Sequence, residues 1–123
     1  LAVAQLSHAN IVSVYDVSNT HVSYLISETF KYSHVVLASV TYNLGIYPVM
    51  KNYLEDMKAL NLQNRTVAVI ENGSWAPMAA KVMTKMLEGS KDLTYAATTV
   101  TVRGALNAAS EAQLAALADE LSR

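Results

Sequence analysis

Short apolar runs rich in β-branched residues alternate along the chain with longer stretches in which apolar positions recur at helical spacing. Residues 11–17, 35–40, 66–70 and 98–102 read as strands. Between them, Val22, Leu25 and Ile26, then Met50, Tyr53, Leu54 and Met57, then Ala79, Val82, Met83, Met86 and Leu87 each fall on one helical face. Leu114, Leu117, Ala118 and Leu121 form a last such face. Strands that are apolar throughout must be covered on both sides, so this alternation predicts parallel βαβ units in an α/β three-layer sandwich. Pro48 and Pro77 suit first-turn positions, where a missing N–H costs nothing, and Ser110 with Gln113 has the S-x-x-Q spacing of a capping box. Right-handed crossovers bring every loop that follows a strand to one edge of the sheet, so binding chemistry is expected after residues 17, 39, 70 and 102.

Composition sharpens this picture. At 123 residues the chain is sized for one domain, 1–123, with no linker, low-complexity tract or internal repeat. It is 52% apolar and 15% charged, as helices on both faces of a buried sheet require. A net charge of -1 without a Lys/Arg cluster argues against nucleic acid and membrane surfaces as partners. The absence of cysteine excludes disulfides, thiolate metal sites and cysteine nucleophiles. No apolar run approaches the ~20 residues of a membrane span, and the start lacks a signal-peptide layout, so a cytoplasmic location is the expectation. Leu1 to Ser7 reads like the last turns of a helix already under way.

Two of the four loops carry information. The first runs Ser39-Val40-Thr41-Tyr42-Asn43-Leu44-Gly45: Thr41 and Asn43 offer short hydrogen-bonding groups, Tyr42 a flat face, and Gly45 room for a ligand beside the backbone. The other runs Glu71-Asn72-Gly73-Ser74-Trp75, where the chain's single tryptophan could wall a planar ring or merely cap the core. Following adjacent strands, Tyr42 and Trp75 could flank one flat ligand. Other chemistry is poorly supported. His8, His21 and His34 have no i,i+3 or i,i+4 partner for a metal, Asp16 suits a turn, Ser74 lies in no nucleophile elbow, and Met50, Met57, Met83 and Met86 fall on core faces.

Taken together, Val14-Tyr15-Asp16-Val17, then Thr41-Tyr42-Asn43, then Gly73-Ser74-Trp75 resemble the flavodoxin-like domain of flavodiiron proteins, also called A-type flavoproteins. The resemblance covers nearly the whole chain. It implies a parallel sheet of order 2-1-3-4-5 and non-covalent FMN at the strand C-terminal edge, with Thr41, Tyr42 and Asn43 on one side of the isoalloxazine and Asn72, Gly73, Ser74 and Trp75 on the other. It also implies electron carriage to a redox partner protein or a fused diiron domain, within a head-to-tail homodimer that depends on that second domain.

The sequence departs from the family pattern in three places. Val40 replaces a usual proline, Glu71 stands where a small residue is usual, and no Ser/Thr- and Gly-rich phosphate loop lies between an opening strand and a first helix. The opening strand would occupy the centre of the sheet, and its absence would leave a slot about 10 Å wide between its neighbours. The expectation is a natural protein that begins roughly 25 residues earlier, about a strand, a loop and the start of a helix. A flavodoxin-like interaction or scaffold domain that has lost FMN is the alternative, motivated by Glu71 and the missing loop; an NAD-linked enzyme would need an upstream glycine fingerprint.

Overall fold

A computed structural model describes residues 13–43, 45–73 and 77–122. The chain forms α1 (Val22–Thr29), β1 (His34–Tyr42), β2 (Gly45–Ile46), α2 (Pro48–Ala59), β3 (Arg65–Asn72), α3 (Ala79–Met86), β4 (Leu93–Tyr95), β5 (Val100–Val102) and α4 (Ala108–Leu121). β3 is the central strand and is buried along most of its length, as its unbroken apolar run requires. It pairs in parallel with β1 over seven positions, from His34 opposite Thr66 to Val40 opposite Asn72. On its other side it pairs in parallel with β4 and then with β5.

Successive residues of β3 point to opposite faces and divide the core in two. Val67 and Val69 join Leu37, Met50, Tyr53, Leu54, Met57, Met83 and Leu87 beneath α1, α2 and α3. Ala68 and Ile70 join Val100, Val102, Leu117 and Leu121 beneath α4. This mixed α/β architecture is flavodoxin-like, with helices on both faces of one sheet. Coverage is uneven, because on the α4 side Val36, Val40 and Tyr42 of β1 stay exposed, at 37%, 46% and 51%.

Several sequence expectations need correction. Ser13–Val17, the described part of the expected first strand, forms no ladder; Asp16 instead closes a turn, accepting from the backbone N–H of Ser18 at 3.0 Å and the side chain of Asn19 at 2.8 Å. Residues 11 and 12 lie outside the described residues. The expected strand 98–102 is shorter, β5 at Val100–Val102, and the sequence did not announce β4 before it; between the two, Ala97 and Thr98 give their N–H groups to the Glu120 carboxylate instead of to β3. The sheet is not wholly parallel either, since β2 folds back on β1 with Thr41 opposite Ile46 and Tyr42 opposite Gly45. Its order among the described strands is β2-β1-β3-β4, with β5 also on β3.

Helix starts differ in detail as well. Pro48 opens α2 as expected, but Pro77 precedes the N-cap Met78 of α3 and so lies outside the helix. The capping box of α4 is Asn107 with Ser110: Ser110 N–H donates to Asn107 Oδ1 at 3.0 Å, and Asn107 N–H donates to Ser110 Oγ at 2.9 Å. Ser110 therefore sits inside the first turn, and Gln113 accepts from the Thr101 N–H at 2.9 Å, tying α4 to β5. Of the expected α1 face, Leu25 is buried but Val22 is exposed.

Candidate functional site

Parallel pairing places the ends of β1, β3 and β5 side by side, with Glu71 opposite both Ser39 and Thr101. Thr41, Asn72 and Gly73 thus meet at one edge. Thr41 belongs to β1 itself, and its Oγ accepts hydrogen bonds from the backbone N–H groups of Met78 at 3.0 Å and Ala79 at 3.3 Å. The sequence places this threonine near the start of α2; the structure shows it capping α3, which crossover topology brings alongside. A hydroxyl has two acceptor sites and one proton, so both lone pairs are used and, among the described residues, the proton has no acceptor.

Glu71 completes the cap. Only 8% exposed, it accepts from the Ala80 N–H at 3.0 Å through Oε1 and from the Thr101 hydroxyl at 2.8 Å through Oε2. The first three amides around the start of α3 are therefore satisfied by side chains from two strands, although Met78 at the N-cap position offers no capping group of its own. The same carboxylate helps to line a hollow of about 460 Å³ that reaches Pro77, Arg103 and Gln113.

The base of the 73–77 loop is tied down on every side. Gly73 N–H donates to Val102 O at 3.0 Å, and the Asn72 side-chain amide donates to Gly104 O at 3.1 Å. A Cβ on Gly73 would meet Pro77 Cα at 2.9 Å and Thr41 Oγ at 3.1 Å, so only glycine lets the loop close so tightly. Ser74 and Trp75, at the heart of the sequence expectation, lie outside the described residues, as does Leu44.

On the neighbouring loop Tyr42 is half exposed at the end of β1, and Asn43 turns the chain with φ 49, a conformation asparagine tolerates better than most residues. Asn43 thus has a turn role of its own. Gly45 lies in β2 with ordinary contacts around its Cα, so packing within the protein does not demand glycine there.

The structure brings together Thr41, Asn72 and Gly73, sets Tyr42, Asn43 and Gly45 on the adjoining hairpin, and adds Glu71 and Thr101, which the sequence did not single out as partners. Nine residues separate Glu71 from Ala80 and thirty separate it from Thr101, so no local spacing announces either bond. Away from this edge, His21 caps α1 through Nδ1, accepting from Ser23 N–H at 3.1 Å, and His34 contacts Ser33 Oγ at 2.8 Å; His8 lies outside the described residues. Among the described residues no helix is long and apolar enough to cross a membrane.

With this geometry in view, one comparison is decisive. The structure matches rubredoxin oxygen:oxidoreductase from the anaerobe Desulfovibrio gigas with a TM-score of 0.80 and 28% sequence identity, over 87% of this chain. The fold is that of a flavodiiron flavodoxin-like domain. The match spans 26% of the Desulfovibrio protein, so the chain corresponds to about a quarter of that enzyme's length. No protein-family model matches the sequence. No curated protein matches it either.

Proposed function

We propose that this chain is an FMN-binding electron-transfer domain of the flavodiiron type. The observation that carries the reading is the approach of the two loops: at the ends of neighbouring strands, Thr41 and Gly73 lie so close that a Cβ added at Gly73 would meet Thr41 Oγ at 3.1 Å, beside the start of α3 at the C-terminal edge of the sheet. The donor set suits a flavin ring, whose pyrimidine edge presents alternating carbonyl and N–H groups. Among the described residues Thr41 retains a hydroxyl proton to donate, and Asn72, with its amide N–H bound to Gly104, retains a carbonyl to accept. Tyr42 supplies an exposed aromatic face beside them, and Ser74 and Trp75 follow directly on Gly73 in sequence.

When bound, the flavin supplies the redox chemistry, while the chain's residues position the ring and set its electrostatic surroundings. In this reading Thr41 holds a ring acceptor, Asn72 and the backbone around Gly73 hold the ring edge, and Asn43 and Gly45 shape the hairpin that Tyr42 ends. The electrons would pass to a redox partner protein or to a diiron domain joined to this one, in keeping with the multidomain length of the Desulfovibrio relative. The rival reading, a scaffold without flavin, drew on Glu71 as an intruding charge; that carboxylate is turned onto Ala80 and Thr101. The test is titration of the purified chain with FMN under flavin fluorescence. Quenching with saturable, one-to-one uptake is expected, and undiminished fluorescence at excess protein would rule the reading out.

A further inference from the structure

Asn72 is the one asparagine of the chain that a glycine follows; every other is followed by a residue with a side chain. In such a pair the backbone nitrogen of the glycine can attack the asparagine carboxamide, because no Cβ stands in the way. Elsewhere that lability could be removed by replacing the glycine. Here it cannot, since a Cβ at Gly73 would meet Pro77 Cα at 2.9 Å and Thr41 Oγ at 3.1 Å. Packing at this edge thus requires the very residue that leaves Asn72 open to attack.

The fold holds both nitrogens that such an attack involves. Asn72 is paired in the sheet on both sides, opposite Val40 of β1 and Val102 of β5. Gly73 N–H donates to Val102 O at 3.0 Å, and Asn72 Nδ2, the group that would leave, donates to Gly104 O at 3.1 Å. Closing a five-membered ring needs the Gly73 nitrogen turned towards the Asn72 side chain, and a strand backbone, with ψ of about +135°, turns it away. The bond to Val102 also keeps a proton on the nitrogen that must lose it. This protection lies at a weak point. β5 has three residues, its pairing with β3 ends at Asn72 opposite Val102, and the ends of a ladder open more readily than its centre. Gln113 steadies β5 from α4 by accepting the Thr101 N–H at 2.9 Å.

We propose that Asn72 is a self-deamidating site, which the end of the ladder between β3 and β5 holds closed and which fraying of β5 releases. In the open state the Gly73 nitrogen, its proton taken by water or hydroxide, bonds to Asn72 Cγ, and the side-chain nitrogen leaves as ammonia. Water then adds to either carbonyl of the resulting succinimide and breaks one of its C–N bonds, giving aspartate or isoaspartate at position 72. No electrons are exchanged, and water is the sole co-reactant. The product carries a carboxylate where an amide donated, so it cannot hold Gly104 O; two acceptors then face each other and the end of the ladder is loosened further. The chemistry is independent of any flavin, but its effect falls on the edge that carries the proposed ring contacts.

The test follows deamidation by proteolysis and mass spectrometry during incubation in warm, mildly alkaline buffer. Compared are the folded chain, the same chain unfolded in guanidinium chloride, and folded Gln113→Ala, which removes the acceptor of the Thr101 N–H from an exposed position. In the unfolded chain Asn72 should be modified faster than any other asparagine. In the folded chain its rate should fall by at least about tenfold, and Gln113→Ala should restore roughly several-fold of that loss, as protection by a locally opening ladder requires. Equal rates in the folded and unfolded parent would overturn the protection, and no preference for Asn72 in the unfolded chain would overturn the site itself. A Gln113→Ala rate equal to that of the folded parent would overturn release through β5. Asn72→Asp, which reproduces one product, should exchange its Gly73 amide hydrogen faster than the parent; unchanged exchange would overturn the loosening.

Discussion

At the residue scale, Thr41 and Gly73 do the most for the site, and each is open to a single substitution. Thr41→Ala removes the acceptor for two α3 amides and should cost about 1 kcal/mol in urea unfolding, as loss of a helix cap does, whereas Thr41→Ser should restore most of it. Gly73→Ala forces a Cβ against the Pro77 backbone at 2.9 Å. Because backbone cannot swing aside as a flexible side chain can, about 1–3 kcal/mol of destabilisation is expected, together with loss of the quenching of flavin fluorescence. Tyr53 gives a pH dependence. Burial raises its hydroxyl pKa above the usual tyrosine value, and it contacts Thr29 Oγ at 2.5 Å. A group raised on folding stabilises fully below its unfolded pKa, about 10, and loses that contribution as pH climbs through the higher folded value. Alkaline denaturation should therefore be shallower in Tyr53→Phe. Asp16 has the opposite sign: hydrogen bonds from Ser18, side chain and backbone, hold its carboxyl below the usual range, so its contribution is present at neutral pH and fades in acid.

At the scale of elements, what the sequence revealed depended on whether the cause was local. The faces of α2 and α3 were legible because Met50, Tyr53, Leu54, Met57 and Met83 repeat at helical spacing, and all are buried. Met57 is fully buried, so Met57→Ala should destabilise by about 2–5 kcal/mol, read as a lower unfolding midpoint with an unchanged slope. The position of β1 beside β3 was expected as well, from the strand order that the family resemblance implies. Interactions between distant segments were not. The break between β4 and β5 is held by Glu120, more than twenty residues later, and the start of α4 at Asn107 was hidden by a Ser-x-x-Gln spacing that also satisfies a capping rule. In the site, the loop residues were visible as chemistry after strands, but the Thr41 and Glu71 cap on α3 was not, because it is made by side chains meeting only after the crossover is complete.

For the molecule as a whole, the fold joins the two loops by making β1 and β3 neighbours, and every feature proposed to meet the flavin lies at one end of that pair. The opposite end is built differently. There Asn61, Asn64 and Asp92 take left-handed turn conformations, and Arg65 donates to the carbonyls of Phe30, Gln63 and Asn64, which makes this end structural. The sequence offers ring contacts but no Ser/Thr- and Gly-rich phosphate loop, so riboflavin and FMN should compete on nearly equal terms for this chain. The most direct measurement of the central claim is the map of backbone amide shifts in ¹⁵N-labelled protein on addition of FMN. Binding at the joined loops requires the largest saturable shifts at Thr41, Tyr42, Asn43, Asn72, Gly73 and Gly104, with little change at Asn61, Asn64 and Asp92. No saturable shifts, or shifts concentrated at that opposite end, would contradict it.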